Sequence, residues 1–267
     1  MGDFFFDESI HQQRGGFILG IWIYSDICVQ DKVSAALEQN GFQPGVDEFK
    51  SGDHVGRNPR LASLRHDLGE LLFGNCRAGV VVAPSEQRAE LGAEALRALG
   101  HFTRANLLEN GDHRIFMDQG LFPNSRRAEE IYATLSLPSN WVRSFEQDSR
   151  LIGGLQVADL AAHTCSVMLL EELGVTRKLV RAGENSGYEP DLLFELGSEM
   201  WTRMRYSFFG YQAAFNEWQD AGGSIDDAGV PVLDVSRYAL HISDRCPPSL
   251  QKAARSRFGM NYLGCIH

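Results

Sequence analysis

The chain has 267 residues, 43% hydrophobic and 22% charged, with a formal charge of −10 from 25 basic and 35 acidic side chains. That is the balance of a globular protein with one large core, and it excludes a surface coated for indiscriminate nucleic-acid binding. No apolar run approaches the roughly 20 residues of a membrane helix, no basic-then-apolar leader opens the chain, and five scattered cysteines without a CxxC pair exclude a zinc ribbon or disulfide framework. A cytoplasmic protein with reduced, mostly buried thiols and no membrane association is the expectation.

Residues 3–8 and 16–24, "DFFFDE" and "GFILGIWIY", are short, aromatic and β-branched. With Gly15 and Gly16 to turn the chain, they predict an antiparallel hairpin covered on both faces. A helix follows over about 30–40, closed by Gly41, and then the irregular "PGVDEFKSGDHVG". Asn58 as cap and Pro59 at the first helical position open a second helix to about Phe73. "AGVVVA" at 78–83 reads as a buried strand, after which Ser85 caps a long helix to about Glu109.

"HRIFMD" at 113–118 is a further strand. Asn124 caps a short helix to about Leu135, "NWVRSFE" at 140–146 is a strand, and "GLQVADLAAHTCSVMLLEELG" is a long helix stopped by Gly174. Beyond 175 a helix rich in aromatics and Met is expected near 191–206, then a loop, then a strand within 230–242. The tail from Arg245 to His267 holds Arg245, Lys252, Arg255 and Arg257 and no acid, and reads as a solvated tail rather than a phosphate-contacting arm. No internal repeat is visible. The expected organisation is a core over 1–174 with a helical insertion at about 25–75, and an elaboration over 175–267 packed on that core, because no Pro/Ser-rich linker separates them. Three strands, then alternating helices and strands, predict an α/β mixed sheet flanked by helices.

Three acids carry the functional reading. Asp7 ends the first aromatic strand, Asp118 ends "HRIFMD", and Asp159 stands among Leu155, Val157, Leu160 and Ala161, where an anion is costly to bury without a cation. If the strands of Asp7 and Asp118 are parallel neighbours, both acids leave the same sheet end, and the helix of Asp159 can cross it. Three clustered carboxylates repel one another unless a divalent cation neutralises them, and oxygen ligands without Cys or His suit Mg²⁺ or Mn²⁺. Each acid alone has a plainer reading as a solvated turn residue.

These residues also resemble a known family. "FFFDES", "IFMD" and "FEQDSRLIGGLQVADLAA" occur in order over roughly 3–165 and are similar to the domain of unknown function 3800 family, a ribonuclease H-like group whose element order this chain shares. "LQVADLAA" is the most specific of the three. Glu48-Phe49-Lys50 matches a Glu-x-Lys element of that family, whereas 175–267 matches nothing named.

The resemblance implies a ribonuclease H-like fold and a nuclease or strand-transfer site, with Asp7, Asp118 and Asp159 as metal-binding acids and Glu8, Glu48 and Asp148 as secondary candidates. None of Glu86, Glu90, Glu94 or Glu109 is singled out as a fourth ligand. In the expected mechanism two Mg²⁺ ions about 4 Å apart straddle a scissile phosphate; Asp7 bridges both, and Asp118 and Asp159 hold one each. Lys50 is the basic group for the phosphate, and Arg57, Arg60 and Arg65 read as a solvated helix face. His163, four residues after Asp159, reads as a hydrogen-bonded core residue before a proton shuttle; His54 and His66 read as surface groups. The cluster Trp201, Met204, Tyr206, Phe208, Phe209 and Tyr211 reads as core or dimer interface before a base-stacking platform.

The substrate is thus DNA or RNA, in a defence or mobile-element setting, and the net acidity favours a protein partner, a homo-oligomer or a narrow basic channel. Two alternatives stand beside it: a non-catalytic regulatory or structural protein of the same fold, and a carboxylate-pair hydrolase acting on glycosides or phosphomonoesters.

Overall fold

The computed structural model describes residues 1–52, 58–182, 188–223 and 232–262. The hairpin forms with longer arms than expected, β1 at Gly2–His11 and β2 at Phe17–Ser25, turning at Gly16, whose φ of 66° suits a residue without a side chain. Helices α1 (Val29–Gln39) and α2 (Pro59–Asn75) make up the insertion, and the Asn58 carbonyl oxygen Oδ1 accepts from the backbone of Arg60 and Leu61, as its capping role requires.

Strand β3 (Arg77–Pro84) leads into a 3₁₀ turn at Ser85–Glu90, and α3 starts only at Leu91 and ends at Ala105. Ser85 is therefore not the cap of one long helix. Its N–H is taken by the Gly16 carbonyl at 3.0 Å, which ties the turn to the hairpin. The far end stops early because Asn106 bonds back to Phe102 and Leu107 takes a φ of 57°.

Next come β4 (His113–Asp118), α4 (Ser125–Thr134), β5 (Val142–Gln147) and α5 (Gly153–Glu172). The remainder is finely divided: β6 (Leu179–Arg181), β7 (Leu193–Glu195), α6 (Leu196–Met204), α7 (Tyr211–Asp220), β8 (Val232–Asp234), α8 (Ser236–Ala239), β9 (Leu240–Ile242), α9 (Pro248–Ala254) and β10 (Met260–Tyr262). The helix expected at 191–206 is thus half as long, and the strand expected at 230–242 is broken by α8.

One six-stranded sheet runs in the order β5-β4-β1-β2-β3-β9. β1, β2 and β3 are antiparallel, while β4 and β5 run parallel to β1, and β9 parallel to β3. This is the mixed sheet flanked by helices that the element order predicts. Alternation along β1 divides its aromatics between the two faces. Phe4 and Phe6 share a face with Trp22, whose indole donates to the Ala95 carbonyl of α3. Phe5 faces α5 so closely that a Cβ on Gly154 would lie 2.3 Å from its ring.

The described part of the 175–267 segment packs against this core and supplies β9. Trp201, Met204, Phe208 and Phe209 are buried, so core packing is what that aromatic cluster does; only Tyr206 is largely exposed. The basic tail is not a solvated arm: Leu250, Ala253, Ala254 and Phe258 are buried, Arg245 pairs with Glu90, and Arg257 with Glu172. Cys76, Cys165 and Cys246 are buried free thiols, Cys28 is an exposed one, and Cys265 lies outside the described residues. Among the described residues no helix is long and apolar enough to cross a membrane.

Candidate active site

β1 has two partners that stop at different places. Its parallel pairing with β4 runs from Gly2↔His113 to Phe6↔Met117, whereas its antiparallel pairing with β2 continues to His11↔Phe17. Asp7 therefore does not end its strand, as expected, but lies within it, because β2 keeps β1 extended after β4 has finished. Asp7 and Asp118 are the next residues beyond the last β1–β4 pair. On this face of the two strands three couples follow one another. Arg114 donates to both Asp3 carboxylate oxygens (2.7 and 2.6 Å); Phe5 and Phe116 stack at 5.2 Å; Asp7 then meets Asp118.

α5 supplies the third acid, and glycines set how closely it approaches. Besides Gly154 against Phe5, a Cβ on Gly153 would lie 2.8 Å from Val33 of α1. One turn further on, Gln156 accepts from the Phe49 N–H (2.8 Å) and donates to the Ser149 carbonyl (2.9 Å). Asp159 Oδ2 accepts from the N–H and the hydroxyl of Ser51 (2.7 and 3.0 Å). Gln156 and Asp159, three apart on one helix face, thus pin the 48–51 segment over the sheet end. This gives "LQVAD" its physical sense.

The electrostatics are those of crowded anions. Burial first, then the charges of Asp118, Glu8 and Asp159, hold the Asp7 carboxyl well above its ordinary pKa. Asp118 is raised by burial, with Glu48 and Asp159 adding to it against Lys50. Asp159 is raised by burial in spite of its bonds from Ser51. Asp118 Oδ1 is buried and has no hydrogen-bond partner among the described residues, a costly state for a carboxylate oxygen.

Lys50 is the cation brought to this cluster. Burial lowers its pKa, but Glu48, Asp118, Asp7 and Asp159 together hold it above its ordinary value. Its Nζ lies 3.3 Å from Glu48 and donates to Ser149 Oγ (3.2 Å), which in turn donates to Glu48 (2.5 Å).

The other candidates divide. Glu48 joins the cluster through Lys50 and Ser149. Glu8 does not share the face of Asp7: alternation turns it to the opposite side of the sheet, where burial raises its carboxyl to about 7 against the pull of Arg88. Asp148 is bound by Arg150 (2.5 Å), whose hydrogen bond lowers it to about 2, so it is spoken for as an ion pair. Arg60 is held by the Asn40 and Gly41 carbonyls. Arg65 is half-buried rather than solvated, and its charge is felt by Asp159. His163 is likewise half-buried; His54 and Arg57 lie outside the described residues. Glu94 is engaged by His241 and Arg97, and Glu90 by Arg245.

Sequence reasoning missed Glu146. It takes a φ of 57°, at a β4–β5 register shift between Phe116 and Asp118, and its carboxylate accepts from Gly120 (2.7 Å) and Phe122 (2.8 Å). A non-glycine residue held in this region is strained, and here the strain fastens the loop that follows Asp118. No pattern in "SFEQD" signals that conformation.

No family model and no curated protein matches the sequence. Among solved structures the chain is similar to the ribonuclease H2 from Pyrococcus horikoshii OT3, at 15% identity over 96% of this chain and 99% of that one, with a TM-score of 0.44. It is also similar to a chain of the PCNA:RNase HII complex from Archaeoglobus fulgidus, at 15% identity over 85% and 91%, with a TM-score of 0.37.

The donor set, carboxylates with one unpartnered buried oxygen, fits a hard divalent cation. As the side chains stand, no three His, Cys, Asp or Glu among the described residues close on a common point that would hold one.

Proposed function

We propose that this chain is a divalent-metal-dependent nuclease, a member of the family its motifs resemble, which hydrolyses phosphodiesters at the Asp7–Asp118–Asp159 cluster. The supporting observation is the third couple of the β1–β4 ladder: two adjacent carboxylates, raised by burial and mutual repulsion, one with an oxygen that bonds to nothing among the described residues. Such a pair costs stability and is retained where a cation is meant to enter.

Mg²⁺ or Mn²⁺ would be held by Asp7, Asp118 and Asp159 and, when bound, would supply water activation and charge neutralisation at the leaving oxygen. Lys50, already facing these acids, would orient a non-bridging phosphate oxygen. Ser51 fixes the orientation of Asp159, and Glu146 fixes the loop after Asp118. Glu8, on the opposite face of β1 and raised to about 7 with Asp118 among the causes, is assigned no ligand role.

The test is cleavage of end-labelled DNA and RNA oligonucleotides with Mg²⁺, Mn²⁺ or EDTA, alongside thermal shift with each metal. Metal-dependent cutting and stabilisation, both lost in Asp7→Asn and Asp118→Asn, are expected. Cleavage that survives EDTA, or a wild type inert to metal in both assays, would sink the proposal.

A further inference from the structure

Beyond the acid cluster, α2, α5 and α6 enclose a cavity of about 460 Å³ whose charged lining is mainly basic. Arg65 and His66 enter it from α2, His163 from α5, Lys178 from the segment before β6, and Arg203 from α6; Glu199 is the one carboxylate among its lining residues. Arg203 is already committed, to Glu70 at 2.6 Å and to the face of Phe73. Arg65 and Lys178 have no ion pair or side-chain hydrogen bond among the described residues. Burial holds the Arg65 guanidinium below its usual pKa despite Asp159 and Glu199, and His163 is lowered by burial and then by Arg65 and Lys178. The cavity therefore carries an excess of basic side chains, the converse of the acid cluster beside it.

We propose that this cavity binds a backbone phosphate of the nucleic-acid strand, adjacent to the one being cut, with Arg65 and Lys178 as the principal contacts. This rests on the nuclease reading for the identity of the ligand. Placement supports it: His163, which lines the cavity, follows Asp159 by one helical turn, about 5–6 Å, so the cavity lies directly beside the acid cluster. Arg65 lies within reach of the Asp159 charge on one side and opens into the cavity on the other. A planar guanidinium that no carboxylate among the described residues hydrogen-bonds matches a phosphate with two parallel hydrogen bonds, and Lys178 adds a point charge. A basic seat next to the acids also answers how a chain of net charge −10 could hold a polyanion.

The experiment separates this from the active-site reading. Binding of a fluorescein-labelled single-stranded oligonucleotide is measured in EDTA, where no cutting occurs, for wild type, Arg65→Gln, Lys178→Gln, the double variant and Asp118→Asn. Each cation removed is expected to weaken binding about tenfold and to reduce the slope of log K against log salt by about one; Asp118→Asn should bind no less tightly than wild type. In the metal-dependent cleavage assay the double variant should raise KM far more than it lowers kcat. Circular dichroism melts establish that each variant folds, and the single Gln variants stand in if the double one does not.

Wild-type affinity in the double variant, or an unchanged salt slope, would overturn the pocket and leave the acid cluster standing. Binding that depends on Arg65 in a protein that never cuts would overturn the active site and leave the pocket standing. A wild type that binds no oligonucleotide at any salt overturns the pocket. Competition identifies the source of the phosphate: unlabelled oligonucleotide should displace the probe at far lower concentration than inorganic phosphate, and equal potency would overturn the backbone assignment.

Discussion

Asp3 and Asp7 lie on the same face of β1, and each meets a neighbour on β4. For Asp3 it is Arg114, which grips both carboxylate oxygens and has its own pKa raised by that bond. For Asp7 it is Asp118, another anion, with one oxygen left without a partner among the described residues. The two couples are separated by one stacked pair of phenylalanines and share backbone, burial and register. At one end a guanidinium grips the carboxylate directly; at the other two carboxylates face each other, and the charge of Lys50 only partly offsets them. A fold selected for stability alone would treat both ends as it treats the first.

The comparison breaks most visibly at the second end. Asp118→Asn should cut metal-dependent cleavage by at least about 100-fold, and in EDTA it should make the protein more stable, since a repelling charge is gone. A decrease in EDTA stability without loss of cleavage would show Asp118 to be an ordinary structural carboxylate.

The pH dependence of metal-free stability comes next. The folded pKa values of Asp7, Glu8, Asp118 and Asp159 lie above their ordinary ones, so the folded state retains protons that the unfolded state has lost. Stability should therefore fall as pH rises, and for Glu8 the window runs from 4.5, its ordinary value, to about 7. A tenfold difference in proton affinity between folded and unfolded chain is worth on the order of 1 kcal/mol. Urea midpoints in EDTA at pH 5 and pH 8 measure it; a higher midpoint at pH 8 would contradict the crowding of anions. Added Mn²⁺ should flatten the slope.

At the first end, Arg114→Ala leaves Asp3 nearly buried without its partner and should cost about 1–3 kcal/mol, read as a shift in urea midpoint with unchanged cleavage chemistry. Gly154→Ala probes the surface shared by both ends. A Cβ there would strike the Phe5 ring, so α5 must retreat, at about 1–3 kcal/mol. If it does retreat, Asp159 moves away from Asp7, and KM for the metal should rise with the loss of stability. An unchanged metal KM would mean that Asp159 is not a ligand.

Much of this geometry was legible before any coordinates. Alternation and turn residues located β1, β2, β3, β4 and α5; the parallel β1–β4 pairing that brings Asp7 beside Asp118 is only a condition of the sequence reading, and the strand register supplies it. What stayed hidden depends on contacts distant in sequence. The extension of β1 past Asp7 is imposed by β2, and that extension turns Glu8 to the far side of the sheet. The left-handed backbone at Glu146 exists because two N–H groups of the β4–α4 loop reward it. The role of Gln156 becomes visible only when the 48–51 segment folds over α5. Arg65 looked like one of several solvated arginines because nothing local says that α6 will line the same cavity.

The strand β9 carries a last consequence. Residues 240–242 cover the outer side of Val80, Val81 and Val82, all of which are fully buried. A fragment ending at residue 174 would present those valines, with their open amide and carbonyl row, to any passing chain. Such a truncation should precipitate or form edge-joined multimers rather than yield a well-behaved monomeric core. On this expectation β9 acts as a built-in guard against self-templated aggregation.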